Sequence, residues 1–192
     1  GIAHTQFYRI AGFETNVNLI PGGTQDNGSN KWTGAAAMEH MLGADGMDCM
    51  IDHGNSSILY NSIQDGGLRK STNGGTTFSS IKPVGYIGSW VTPYVMSPAN
   101  SSIIYGGYSD IYKSTNGGAS WTNTGADGRG AMAIGTSNTS RIYASSGATF
   151  YRSDDAAGTW TNYSAGLPGL TITYIAVDPA NSLNVFVTLG GY

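Results

Sequence analysis

The 192-residue chain carries nine Lys and Arg against twelve Asp and Glu, a formal net charge of −3. It has no basic cluster or stripe, so nucleic-acid binding lacks its electrostatic footprint. No apolar run approaches the ~20 residues that carry a helix across a bilayer. Cys49 is the sole cysteine. A disulfide framework or a multi-cysteine metal site therefore cannot be built within the chain, and burial as a small hydrophobe accounts for this residue.

Gly makes up 29 of 192 residues, charged residues only 11%, and Glu occurs only at Glu14 and Glu39. Ser, Thr, Asn and Tyr supply the polarity. Many turn formers and few helix formers argue for an all-β protein. The same low-charge composition correlates with secreted, cell-surface or periplasmic proteins.

Read in chain order, Gln6–Ile10 is the first predicted strand. Glu14-Thr15-Asn16 then precedes Val17-Asn18-Leu19-Ile20, the loosest copy of a turn that returns four times. Gly22–Ser29 (Gly-Gly-Thr-Gln-Asp-Asn-Gly-Ser) departs from the repeat that follows. Gly34–Leu42 has the one helix-like composition and is expected to be a loop with one helical turn. Gly43–Asp48 follows as a second unusual segment.

From residue 55 onward two patterns alternate. The turn Asn recurs at Asn55, Asn100, Asn138 and Asn181, each ahead of a run such as Ser101-Ser102-Ile103-Ile104-Tyr105. Between these turns stands a box: Ser71-Thr72-Asn73-Gly74-Gly75-Thr76-Thr77-Phe78, Ser114-Thr115-Asn116-Gly117-Gly118-Ala119-Ser120-Trp121, and Ser153-Asp154-Asp155-Ala156-Ala157-Gly158-Thr159-Trp160. A Lys or Arg precedes each box Ser (Lys70, Lys113, Arg152). The distance from turn Asn to box Ser is 16, 14 and 15 residues. Asn and Ser cap nearby backbone in turns, and Gly admits positive φ. The strand after the last turn, Leu183–Leu189, alternates with Leu183, Val185, Val187 and Leu189 on one face. Thr171–Val177 is apolar on both faces, as expected of a strand sandwiched between neighbouring sheets.

A period near 40 residues built of short strands is the signature of a β-propeller. One unit reads strand, Asn turn, strand, link, strand, box, strand, which is a four-stranded antiparallel blade. The predicted units are 1–35, 36–83, 84–125, 126–166 and a half-unit 167–192, an incomplete piece of about four to five blades. The phase places a further box about 195–197, past Tyr192. The expectation is that the open strand edges pair with the remainder of the same propeller or with a neighbouring chain.

The boxes resemble the Asp-box, or bacterial-neuraminidase repeat, found in sialidases, xyloglucanases and the sortilin ectodomain. Gly22–Ser29 with Gly43–Asp48 looks like the sortilin-like, glycosidase-related propellers secreted by bacteria. The resemblance covers nearly the whole chain and implies a propeller and export, but no single activity. The sialidase constellation of clustered Arg with a Tyr/Glu pair does not match Arg9, Arg69, Arg129, Arg141 and Arg152, and the aspartate motifs of xyloglucanases match poorly.

Chemistry is expected where the repeat breaks. Asp26, Asp45, Asp48 and Asp52 fall within 27 residues, and glycoside hydrolysis needs two facing carboxyls. Asp26 and Asp45 are the candidate catalytic pair. Trp32, Asp48 and Trp90 are candidate binding residues, with Tyr8 a further sugar-stacking face. The competing reading is that Asp26-Asn27-Gly28 is a hairpin turn. His4, His40 and His53 lack metal-ligand spacing. No cofactor is expected, although a loop calcium through Asp45 and Asp48 stays open. Of five Asn-x-Ser/Thr sequons, at Asn27, Asn55, Asn100, Asn138 and Asn162, three coincide with the repeated turns and are explained by turn chemistry, and glycosylation is not inferred. The favoured reading is a non-catalytic binding or scaffold module for glycans or proteins. A xyloglucanase-like glycoside hydrolase is the alternative.

Overall fold

The computed structural model describes residues 5–191, which leaves His4 outside. Two compact units divide the chain between Thr92 and Pro93. In the first unit, β1 (Phe7–Ile10), β2 (Ile20–Thr24), β3 (Gly28–Trp32) and β4 (Glu39–Leu42) form an antiparallel sheet in that order. β5 (Gly46–Asp52), β6 (Asn55–Ile63), β7 (Gly67–Ser71) and β8 (Ser79–Ser80) form the next. In the second unit, β9 (Tyr94–Ser97), β10 (Asn100–Gly107), β11 (Ile111–Ser114) and β12 (Thr122–Asn123) form a third sheet. β13 (Met132–Ile134), β14 (Ile142–Ser146), β15 (Thr149–Ser153) and β16 (Thr161–Asn162) form a fourth. β17 (Ile172–Val177) and β18 (Val185–Leu189) pair as a two-stranded sheet. These are propeller blades, each a meander whose strands are joined in sequence order.

The Asn turns are one device used five times. The side-chain oxygen of Asn16, Asn55, Asn100, Asn138 and Asn181 accepts the amide two residues on, at 3.0–3.1 Å. The boxes repeat with the same fidelity. Ser71 Oγ donates to Asn73 Oδ1 (2.9 Å) and accepts the amides of Asn73 and Gly75. Asn73 Oδ1 also accepts the Thr77 amide at 3.0 Å. Ser114 with Asn116 and Ser153 with Asp155 reproduce this network bond for bond. The three serines are fully buried. Phe78, Trp121 and Trp160 take equivalent, partly buried positions ahead of each short last strand.

The constant phase between turn and box has a physical cause. Gly74 N donates to Ser57 O, Gly117 N to Ser102 O and Ala156 N to Ser140 O, at 2.8–2.9 Å. Each acceptor lies two residues past its turn Asn. A box amide thus staples the third hairpin of the blade to the first.

Successive blades are also tied. Lys31 Nζ, in the first blade, donates to Gly74 O of the second at 2.7 Å. Lys113 Nζ, in the third, donates to Ala156 O of the fourth at 2.8 Å. Between the third and fourth blades Tyr105, Ile111 and Ala126 pack on Met132, Ile142, Ala144 and Ala157. Tyr143 and Phe150 of the fourth blade pack in turn on Ile172 and Ile175 of the last sheet. Tyr143 adds a hydrogen bond from its hydroxyl to Ser182 O at 2.7 Å.

Four expectations are corrected. Glu39–Leu42 is a strand, not a loop with a helical turn, because Ser29, Asn30 and Lys31 pair with Leu42, His40 and Glu39. Pairing across the sheet outweighs the local helix preference of Ala, Met and Glu. The first blade accordingly runs to Leu42, beyond the 35/36 division. Finally, β17 is buried on one face only, through Ile172 and Ile175, while Tyr174 and Ala176 are exposed. Leu183, placed at the start of the alternating last strand, lies in the preceding turn and is exposed.

The third box yields two predictions. Its Ala156 and Ala157 have φ of 57° and 68°, where the other boxes place Gly74, Gly75, Gly117 and Gly118. A Cβ in this left-handed region costs about 1–2 kcal/mol, partly offset by the greater chain freedom of Gly when unfolded. Ala156→Gly is expected to stabilise the protein by about 0.5–1 kcal/mol in urea unfolding. The amide of Thr159, with the Ser153 and Thr159 hydroxyls, pulls the Asp155 carboxyl down to about 2. That stabilisation is complete above the ordinary carboxylate pKa and is lost as pH falls through about 2. Asp155→Asn keeps the box geometry seen with Asn73 and Asn116. Its unfolding midpoint is expected to fall less than the wild type's between pH 4 and pH 2 in parallel melts.

Candidate functional site

The segment Thr24–Gly28 is the hairpin joining β2 to β3, with Thr24 paired to Gly28. Asp26 stands at its tip with φ 59°, followed by Gly28 at 67°. Thr24 Oγ1 donates to Gly28 O at 2.7 Å, Asn27 Nδ2 to Gln25 O at 3.0 Å and Asn30 Nδ2 to Asn27 O at 3.0 Å. The turn reading of Asp26-Asn27-Gly28 therefore describes the local geometry.

Asp45 meets this turn from the connection between the first two blades. Its Oδ1 accepts the Asp26 amide at 2.8 Å, across 19 residues of sequence, and its own amide donates to Gln64 Oε1 at 3.3 Å. The close approach depends on Gly46, where a Cβ would lie 2.2 Å from Gly28 O. The two candidate residues are thus neighbours, the carboxylate of Asp45 clasping the backbone of Asp26.

Beside the clasp lies an open, polar depression of about 280 Å³ lined by Gln6, Gln25, Asp26 and Asn27. Gln25 N donates to Gln6 O at 3.1 Å, which attaches the segment before β1 to the hairpin. Two residues past Gln6, the Tyr8 hydroxyl accepts Trp90 Nε1 at 3.2 Å, and Trp90 keeps 49% of its surface exposed. Amide side chains, a carboxylate and an anchored indole are thus gathered around the first strand. Gln6, Gln25 and Asn27 were not among the sequence candidates. The signal available was the place of Gln25 and Asn27 in the segment that interrupts the repeat.

The remaining candidates sit elsewhere. Trp32 ends β3, half-buried, with Nε1 donating to Ala35 O at 2.6 Å. Asp48 lies in β5, where its Oδ1 accepts the Cys49 amide at 2.9 Å. His40 is in β4 and His53 in the turn after β5, both exposed. Among the described residues no three His, Cys, Asp or Glu are grouped to hold a metal ion. No helix of the described residues is long and apolar enough to cross a membrane.

Comparison with solved structures places the fold among known propellers. The chain superposes on a GH74 enzyme from Niastella koreensis with TM-score 0.77 and 22% identity, over 94% of this chain and 33% of that one. A GH74 xyloglucanase from Xanthomonas campestris gives 0.73 and 17%, over 97% and 35%. YCF48 from Cyanidioschyzon merolae gives 0.61 and 13%, over 96% and 71%. The chain thus spans about a third of the length of the GH74 enzymes. No family model matches the sequence, and no match is found among curated proteins.

Cys49 faces the interior of β5 beside Asn61, whose Nδ2 donates to Sγ at 3.1 Å. Burial, with a smaller contribution from Asp48, pushes its thiol well above the usual range. A buried thiol held protonated is a poor nucleophile. Native protein is expected to titrate no thiol with a disulfide reagent at pH 8, and one thiol per chain once unfolded in guanidinium.

Proposed function

We propose that this chain is part of an exported propeller that binds glycan without cleaving it, through the depression at Gln6, Gln25, Asp26 and Asn27 and the indole of Trp90. The observation that carries the reading is the polar depression at the hairpin tip, together with a half-exposed Trp90 held by Tyr8, two residues along the chain from Gln6. Sugars present hydroxyls in a ring around apolar C–H faces. Side-chain amides pair with the hydroxyls as donor and acceptor together, and an indole offers the flat apolar surface for the ring. The likeness to GH74 enzymes, one of them a xyloglucanase, supports β-glucan and xyloglucan oligosaccharides as the first ligands to test.

The second reading is a glycoside hydrolase with Asp26 and Asp45 as paired carboxyls, and their adjacency favours it. Against it, one Asp45 oxygen is already engaged by the Asp26 amide, a fixed acceptor role in the architecture of the turn. In either case the activity belongs to a larger propeller, with further sheets meeting the open strand edges.

Isothermal titration with xyloglucan, β-glucan and sialoside oligosaccharides decides between the readings. Binding of one class without sugar release is expected, weakened about tenfold or more in Trp90→Ala, the loss typical of removing an aromatic anchor. Absence of binding to every class would remove the glycan reading. Hydrolysis abolished by Asp26→Asn would establish the enzymatic one.

A further inference from the structure

Asparagine followed by glycine is open to a reaction that needs no enzyme, because glycine puts no side chain in front of its own nitrogen. That nitrogen, once it loses its proton, attacks the asparagine Cγ. The Cγ–Nδ2 bond breaks, ammonia leaves, and a succinimide ring closes. Water then opens the ring at one carbonyl or the other and gives aspartate or isoaspartate. The chain carries this dipeptide three times, and two copies lie inside boxes, Asn73-Gly74 and Asn116-Gly117. Asn73 and Asn116 are both exposed, so burial does not keep water from either.

The hydrogen bonds of the box bear on each atom of that reaction. The attacking nitrogen is the donor of the staple, Gly74 N to Ser57 O at 2.9 Å and Gly117 N to Ser102 O at 2.8 Å. The amide must leave the carbonyl of another hairpin before it can attack. The group under attack is held as well. Asn73 Oδ1 accepts the Ser71 hydroxyl and the Thr77 amide, and its Nδ2 donates to Thr77 Oγ1 at 2.9 Å. Asn116 makes the same bonds to Ser114 and Ser120, with Nδ2 to Ser120 Oγ at 2.8 Å. Each side chain is fastened to the residue four places on, while the nitrogen beside it is fastened to a different loop.

The third box shows which product the fold accepts. Asp155 stands at the place of Asn73 and Asn116. Its Oδ1 accepts the Ser153 hydroxyl and the Thr159 amide, and its Oδ2 accepts Thr159 Oγ1 at 2.8 Å. Only the hydroxyl four places on changes its role, from acceptor to donor. Isoaspartate adds a methylene to the main chain and removes one from the side chain, so it does not span the same bonds.

We propose that Asn73 and Asn116 are latent modification sites, closed while the staple is made and opened when that end of the blade unfastens. Conversion there gives the Asp form of the box or, through isoaspartate, destroys the box. The inference is independent of the glycan reading.

Folded protein and protein unfolded in guanidinium, held at one alkaline pH, provide the test. The mass gained as amide becomes acid is followed on the peptide carrying each asparagine. Both sites are expected to convert at least about fivefold more slowly in the folded chain, the factor that one net hydrogen bond supplies. Equal rates would overturn the proposal. Ser114→Ala removes the hydroxyl that organises the second box, and Ser120→Ala, at an exposed side chain, removes the Nδ2 partner of Asn116 alone. Each is expected to speed conversion at Asn116 and to leave Asn73 of the same molecule unchanged. Should Ser114→Ala unfold the chain and speed both sites, Ser120→Ala decides. Conversion at Asn116 unmoved in both variants would overturn the proposal. Asn116→Asp is expected to melt with the wild type at neutral pH, and a large fall in its midpoint would overturn the assignment of aspartate as the accepted product.

Discussion

The constraint on which the blades depend is the buried hydroxyl of the box serine. Ser71, Ser114 and Ser153 each lie fully inside the protein, so each oxygen must find partners or incur a desolvation cost. Each does so by donating to the Asn or Asp two residues on and accepting two backbone amides. That arrangement closes the turn and presents its remaining amide to the carbonyl of Ser57, Ser102 or Ser140. Two loops at one end of a blade are joined by a bond that neither could make alone. The apolar packing between blades then rests on sheets whose ends are already pinned.

Much of this was legible because it is local. A box completes its network within eight residues and an Asn turn within three, so a single copy can be read from residue types alone. Their constant separation pointed to a unit, and the amide staple gives the reason for it. The Lys or Arg ahead of each box Ser was equally visible, but its role was not. Lys113 is a neighbour of Ser114 in sequence and of Ala156 in space, 43 residues away.

What escaped the sequence depends on distant pairing. Glu39–Leu42 has the composition of a helix and the partners of a strand, and only the register with β3 decides between them. The same holds at the candidate site. By sequence Asp26 and Asp45 read as a pair of carboxyls for one substrate, whereas the contact seen runs from a carboxylate to a backbone amide. Spacing of 19 residues says nothing about which atoms of the two meet. The amide-rich lining stayed hidden for a different reason, since Gln and Asn in a turn look the same whether they serve the loop or a ligand.

The way the staple closes has a bearing on how such a chain changes over generations. From Asn100 to Ser120, the turn bond, the staple and the side-chain bonds of the box begin and end inside one repeat. A tandem duplication of that stretch of gene would carry this set of fastenings with it, whereas a tie between blades, such as that from Lys113 to Ala156 O, would be remade with whichever blade becomes the neighbour. Blade number is therefore a quantity that recombination can alter in whole steps, while the interrupted first repeat, whose Asp45 clasp reaches across two blades, can be lost or copied only as a pair.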